Sequence, residues 1–303
     1  MEVKDFVPEG YHYTFEEYVF NTHAHRLTQA QSNWRSFYLL DDNHKTVVAS
    51  WHVHVKDGLA KSPYRATFGG PDFSENLSIE SLNFFVRAVE EAVLSTIEVI
   101  LPSENLNLQK FTIAKQAFTE NGFKEARSQV NATIPITNKP FEQIIHKSEI
   151  KKLKRSLQAG LIAKKLGIDD FSQVYNHLKE SRTERGYQLS MTEAQLLSVV
   201  EKMPTHFHLF GVFDAEKMVA SAITIKLSKK ALYVFYGGHS KNYDRLSPAV
   251  LLHAEIYAFC QKQGMQYLDL GTSSKGEETD HNLLDFKKYI GAETGLKLTF
   301  RKS

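Results

Sequence analysis

Apolar residues in the second half of the chain alternate with polar ones in short runs, then switch to helical spacing. A run at 206–213, the polar tetrapeptide Asp214-Ala215-Glu216-Lys217 and a return over 218–227 predict a β-hairpin. A third strand over 231–236 follows Ser228-Lys229-Lys230. Gly237-Gly238 and a polar stretch then lead to Ser247-Pro248, which reads as an N-cap with proline at the first helical position. That helix runs to about Gln263. Val250, Leu251, Ala254, Tyr257 and Ala258 share one face, and Ile256 and Phe259 make the other side apolar too, so it is expected to be largely buried. Gly264 stops it, and a strand over 265–270, a helix over 283–290 ended by Gly291 and a strand over 296–300 complete the set.

The first half has the same order in a less regular sequence. Residues 37–40, a turn at Asp41-Asp42-Asn43 and residues 46–55 make a hairpin; a segment around 64–68 ends at Gly69-Gly70. A helix over 79–95, a strand over 97–101, a helix over 108–121 stopped by Gly122 and a strand over 127–134 follow. Two copies of hairpin, strand, helix, strand, helix, strand point to an internal duplication of fold. The class is α/β (α+β): two tandem domains, each a mixed, mainly antiparallel sheet flanked by helices. Asn138 and Pro140 break the pattern, giving domains 1–140 and 141–303. A helical arm, 146–203, is inserted before the second sheet. It comprises a basic helix over 148–159, a helix capped by Asp169 or Asp170, and a third opening at Thr192-Glu193.

The 303 residues allow two domains, each with its own core. Lys plus Arg number 37 against 35 Asp plus Glu, a net charge of +2, so an anionic partner has to be met by a local patch. A single cysteine, Cys260, excludes an intramolecular disulfide framework and multi-cysteine metal sites, and it reads as a small core residue. The N-terminus, Met1-Glu2-Val3-Lys4-Asp5, is acidic where a secretory signal is basic, and no apolar run approaches the roughly 18 residues of a membrane span. A cytoplasmic protein is expected.

The stretch Leu232-Tyr233-Val234-Phe235-Tyr236-Gly237-Gly238, then Tyr243, Ser247-Pro248, Tyr267-Leu268-Asp269-Leu270-Gly271, Asn282-Leu283-Leu284, Phe286-Lys287 and Gly291 resembles the Gcn5-related N-acetyltransferase (GNAT) superfamily. The duplicated form with a helical arm resembles the FemABX-type aminoacyltransferases and the BioF2-like acetyltransferase domains. Ser62-Pro63, Phe68-Gly69-Gly70 and Asn121-Gly122-Phe123 carry a weaker match in the first half. The resemblance implies acyl transfer to a primary amine on a small molecule or peptide, from aminoacyl-tRNA or acyl-CoA, without a metal. CoA-using members hold the pyrophosphate on a glycine-rich loop at a helix start. The equivalent stretch, Lys241 to Pro248, has no glycine, and Asp244 adds negative charge, so weak acetyl-CoA binding is expected.

The resemblance places Lys287 near the acyl donor and acceptor, where a cation stabilises charge developing on the carbonyl; read alone, it is a surface lysine beside Lys288. Phe286 is its substrate-binding neighbour. Asp269, near a strand's C-terminal end, is a candidate general base, or else a carboxylate that accepts backbone N–H bonds in the Gly271-Thr272-Ser273 turn. Tyr236 is a further catalytic candidate, with aromatic packing as its other reading. His239, Tyr243 and Arg245 are candidates for substrate binding, against simple loop exposure. Lys151, Lys152, Lys154 and Arg155 fall within little more than two turns and are candidates for tRNA phosphate contact, against a solvated helix face in which Glu149 interrupts the charge. The pairs His23/His25, His52/His54 and His206/His208 read as solvent-facing strand alternation without a third ligand. The other class of function is a non-catalytic binding protein that uses the duplicated fold for a peptide, glycan or RNA.

Overall fold

A computed structural model of the chain describes residues 1–275 and 278–303. It divides into two compact units, Met1–Val130 with Gly295–Ser303, and Asn131–Thr294. In both, mainly antiparallel strands alternate with helices. The predicted division was a single cut at 140. The compact units instead assign the last nine residues to the first one, because Thr299–Lys302 pair antiparallel with Ile97–Ile100.

The first unit contains α1 (His23–Gln29), the hairpin Trp34–Asp41 and Thr46–Lys56, α2 (Ile79–Val93) and α3 (Leu108–Glu120). Ser78 caps α2 through the Ser81 N–H, and Leu82, Phe85, Val86, Val89 and Val93 recur at helical spacing to form its buried stripe. The core closes with Trp51 edge-on to Phe118 at 5.3 Å and Phe300 stacked on Phe118 at 5.7 Å. The strand expected around 64–68 lies earlier, at Leu59–Ser62, parallel to Thr96–Ile100, because Pro63 has no N–H to continue the ladder.

None of the histidine pairs is a solvent-facing strand pair. His23 and His25 start α1, where the Thr22 hydroxyl accepts from the His25 N–H. His52 and His54 do lie on a strand but are buried. His52 Nε2 is 3.0 Å from Glu17 Oε1 and its Nδ1 is 3.0 Å from Ser36 Oγ, while His54 stacks on Tyr64 at 3.8 Å. His208 packs on Phe259 at 4.8 Å. Alternation identifies which residues share a face, but only packing decides whether that face is covered.

Asp72 is buried and accepts from the Tyr18 N–H and from Asn21 Nδ2. Burial pushes its carboxyl up to about 7. A folded-state value above the unfolded one means that this group's contribution is full below about pH 4 and is lost as pH rises through 7, at about 1.4 kcal/mol per pH unit at most. Asp72→Asn keeps an acceptor for both donors and stays neutral. Its unfolding free energy relative to wild type is therefore expected to rise between pH 4 and 7 and level off above, as urea titrations at stepped pH will show.

In the second unit the strands run in the order Tyr267–Thr272, Ala231–His239, Lys217–Lys226, Phe207–Asp214, Ile162–Leu166, with the end of Lys124–Pro135 beside the first. The helices are α4 (Lys147–Gln158), α5 (Phe171–Thr183), α6 (Glu193–Lys202), α7 (Pro248–Lys262) and α8 (His281–Tyr289). The arm is not wholly helical, since Ile162–Leu166 adds an edge strand to Phe207–Asp214. The lysines that disguise it as a charge run set their ammonium groups over aromatic rings, Lys164 over Phe213 at 4.5 Å and Lys165 over Phe259 at 5.0 Å. Ser247 is not an N-cap. It sits at φ 54°, after a 3₁₀ turn over Lys241–Leu246, and its side chain caps nothing. Pro248 at the first helical position needs no cap for its missing N–H. Cys260 is fully buried, and burial pushes its thiol up to about 12. Among the described residues no helix is long and apolar enough to cross a membrane.

Candidate active site

The site lies where two parallel strands part. Ala231–Tyr233 pair with Tyr267–Asp269, after which both ladders shift register, between Ile223 and Thr224 on one side and between Asp269 and Thr272 on the other. The C-terminal ends splay, as at the switch points where α/β sheets bind ligands, and open a cavity of about 560 Å³. Its walls include Arg182 and Arg185, Tyr233, Phe235 and His239, Leu252 and His253, and Leu283, Phe286 and Lys287. Gly238 is needed here because a Cβ would collide with Ser181 on α5.

Lys287 is 6% exposed, which removes it from the surface-lysine class, whereas Lys288 points outward. Its Nζ donates to the carbonyls of Gly271 and Thr272, both at 2.9 Å. Those carbonyls are aimed by a turn in which Gly271 takes φ 71°, a conformation that favours glycine. Asp269 builds the same turn. Its Oδ1 accepts from the Gly271 N–H at 2.8 Å and from Asn131 Nδ2 at 2.7 Å, and the side chain is buried outside the cavity wall. This is the turn-holding arrangement.

Of the other candidates, Phe286 and His239 lie in the wall and Tyr236, Tyr243 and Arg245 do not. Tyr236 is buried, with its hydroxyl 2.5 Å from Ser190 Oγ and the Arg182 guanidinium 5.4 Å over its ring. Tyr243 donates to Asp214 at 2.8 Å. Arg245 is exposed, and its carbonyl accepts from Arg155. His239 Nε2 lies 2.8 Å from Asp244 Oδ1 and 2.9 Å from Arg185 Nη2. Burial, then Arg185, lowers its pKa. Asp244 is matched by that same Arg185 at 2.6 Å, so its charge is compensated rather than unmet.

On the basic helix Lys151 and Lys154 are exposed, but Lys152 bonds at 2.8 Å to the fully buried Glu149. Arg155 Nη1 donates to Arg245 O at 2.8 Å and Ser156 Oγ to Leu246 O at 2.5 Å. The end of α4 thus covers the chain just ahead of α7.

Sequence reasoning missed Arg182, Arg185 and His253. Arg182 is in the last turn of α5 and Arg185 three residues on, in the turn that follows, and this spacing of two arginines was the available signal. Arg182 Nε is buried with no hydrogen-bond partner among the described residues. His253 sat unremarked inside an apolar helix. Its Nδ1 is 2.7 Å from Ala249 O, and its ring meets Phe286 edge-on at 5.7 Å.

The cavity at the split of two parallel strands thus has a buried lysine, two arginines and two imidazoles in its wall. Residues 146–288 match the acetyltransferase (GNAT) domain family, and over most of its length the chain has the fold of FemX and of a tandem GNAT protein. FemX is 13% identical, with a TM-score of 0.71 over 93% of this chain and 91% of its own. The C-terminal domain of a putative lysylphosphatidylglycerol synthetase from Agrobacterium fabrum is 13% identical, with a TM-score of 0.56 over 88% of this chain and 83% of that one. A tandem GNAT protein from the clavulanic acid biosynthesis pathway is 8% identical, with a TM-score of 0.50 over 89% and 82%. No curated protein sequence matches the chain.

Proposed function

We propose that the cavity of the second unit transfers an acyl group from an aminoacyl ester to a primary amine on a small molecule or peptide. The observation that carries this is Lys287, fixed by two carbonyls in the cavity wall. An ammonium held there stabilises negative charge on the donor carbonyl oxygen as the amine adds, and its position costs no reorganisation during the reaction. The unpartnered Arg182 Nε–H in the same wall favours a substrate that also bears an anionic group, because a buried guanidinium donor without an acceptor is costly until a ligand supplies one.

Two features favour an aminoacyl ester over acetyl-CoA. The stretch ahead of α7 has no glycine, and it is covered by Arg155 and Ser156 of α4 where a pyrophosphate would need open backbone N–H groups. The exposure of Lys151 and Lys154 on the same helix supports contact with tRNA phosphates. Calorimetry with acetyl-CoA is expected to give no binding in the micromolar range, about −8 kcal/mol. Filter binding of bulk tRNA is expected to weaken with salt. The double variant Lys151→Glu, Lys154→Glu should lower the magnitude of the log–log slope by about 1.8, at roughly 0.9 per duplex contact. Micromolar acetyl-CoA binding with an unchanged slope transfers the reading to a CoA-dependent acetyltransferase.

A further inference from the structure

We infer that His253 is the proton acceptor of the transfer reaction, an assignment that rests on the acyltransferase reading above. On α7 the ring is held by Nδ1 at 2.7 Å from Ala249 O, the carbonyl one turn back. Only an N–H approaches a carbonyl oxygen in this way, so the proton sits on Nδ1 and Nε2 carries the lone pair. Nε2 has no hydrogen-bond partner among the described residues, and the ring forms part of the cavity wall against Phe286.

The alternatives in and around the cavity are committed elsewhere. Asp269 lies outside the wall and accepts from two donors. Tyr236 is bound to Ser190. His239 is held between Arg185 and Asp244. The titratable and charged groups in the wall around His253 are Arg182 from α5, Arg185 and Tyr187 from the segment that follows it, Tyr233 and His239 from the strand Ala231–His239, and Lys287 from α8. None of these is a carboxylate that would stabilise an imidazolium. Burial, and after it the nearby Lys287, hold the ring's pKa at about 4, so Nε2 is unprotonated across the physiological range.

The step balances as follows. The acceptor enters as a free amine, and its nitrogen lone pair forms a bond to the acyl carbon while the carbonyl π pair moves to the oxygen facing Lys287. The nitrogen, now positively charged, is far more acidic than a free ammonium and gives one proton to His253 Nε2. The carbonyl re-forms, the acyl–oxygen ester bond breaks with its electron pair on the leaving oxygen, and that oxygen takes the proton from Nε2. The neutral imidazole is restored.

The test needs no known acceptor for its first arm. The intact protein is treated with diethyl pyrocarbonate, which acylates an imidazole only at an unprotonated nitrogen, and the peptides labelled at histidine are measured by mass spectrometry at pH 7 and pH 5. A histidine of ordinary pKa loses about 30-fold in rate over this interval, whereas a ring near 4 loses less than about twofold. Labelling of His253 that survives at pH 5 is expected. No label at His253, or a 30-fold loss, overturns the assignment. In the second arm, His253→Gln and His253→Ala are compared with wild type, using bulk aminoacyl-tRNA or acetyl-CoA with a panel of amines. A fall in kcat of about 10²–10⁴-fold is expected, with KM within threefold and with partial rescue of the alanine variant by imidazole. Unchanged kcat in a folded variant overturns His253 alone. A wild-type protein that transfers from neither donor overturns the acyltransferase reading and the assignment together.

Discussion

Replacing Lys287 with methionine is expected to lower kcat for acyl transfer by about 10²–10³-fold, the cost of removing one preorganised donor from the oxygen that becomes negative. The methionine keeps most of the apolar stem that packs in the wall, so the change removes charge and hydrogen bonds more than volume. It also leaves the Gly271 and Thr272 carbonyls without their ammonium donor. A loss of about 1–3 kcal/mol in unfolding free energy therefore accompanies the loss of rate. Single-turnover transfer and urea unfolding on the same preparation separate the two. The methionine variant distinguishes this enzyme from a binding protein of the same fold. Ligand affinity that survives with no chemical step lost would favour the binding protein.

The second large effect is expected at Lys152, one of four residues in the basic helix. Glu149 is fully buried, and its Oε1 is bonded by Lys152 Nζ and by Ser148 Oγ, while Oε2 has no partner among the described residues. Among the described residues, Lys152→Met removes the one cation bonded to this buried carboxylate. Breaking a wholly buried pair costs about 3–5 kcal/mol; the Lys152 side chain is 41% exposed, so about 2–3 kcal/mol is expected here. Lys151→Met and Lys154→Met should change stability by less than about 0.5 kcal/mol. Thermal and urea unfolding of the three single variants check this contrast. The double variant Lys152→Met, Glu149→Gln should recover most of the loss, because no charge is then left buried.

Element order was legible because it depends on local spacing. The hairpin at Phe207–Asp214 and Lys217–Lys226, the capping box of Thr192 and Gln195 on α6, and Pro248 at the start of α7 are all short-range signals. Misses occurred where distant partners overrode local pattern. Ile162–Leu166 becomes a strand because Phe207–Asp214 offers it an edge and the Phe213 and Phe259 rings receive its lysine ammonium groups. The last strand completes the first unit through a ladder to Ile97–Ile100, some 200 residues away in sequence, which no local period encodes.

The candidate site divides in the same way. The stretch around Phe286-Lys287 and the turn at Asp269-Leu270-Gly271 could be picked out by resemblance. Of the two roles open to Asp269, the carboxylate that accepts backbone N–H bonds is the one its contacts match. Which lysine of the pair 287 and 288 faces inward was decided by the orientation of α8 on the second unit, since successive helical side chains diverge by about 100°. Arg182 and His253 come from helices that are 70 residues apart in sequence, and they share a wall only because the strands between them splay. By itself, the sequence determined most of the elements, their order along the chain and the absence of a glycine-rich loop before α7. The tertiary structure alone decided which polar groups lost water and gained one another, because burial is a property of what covers a residue and not of the residue itself.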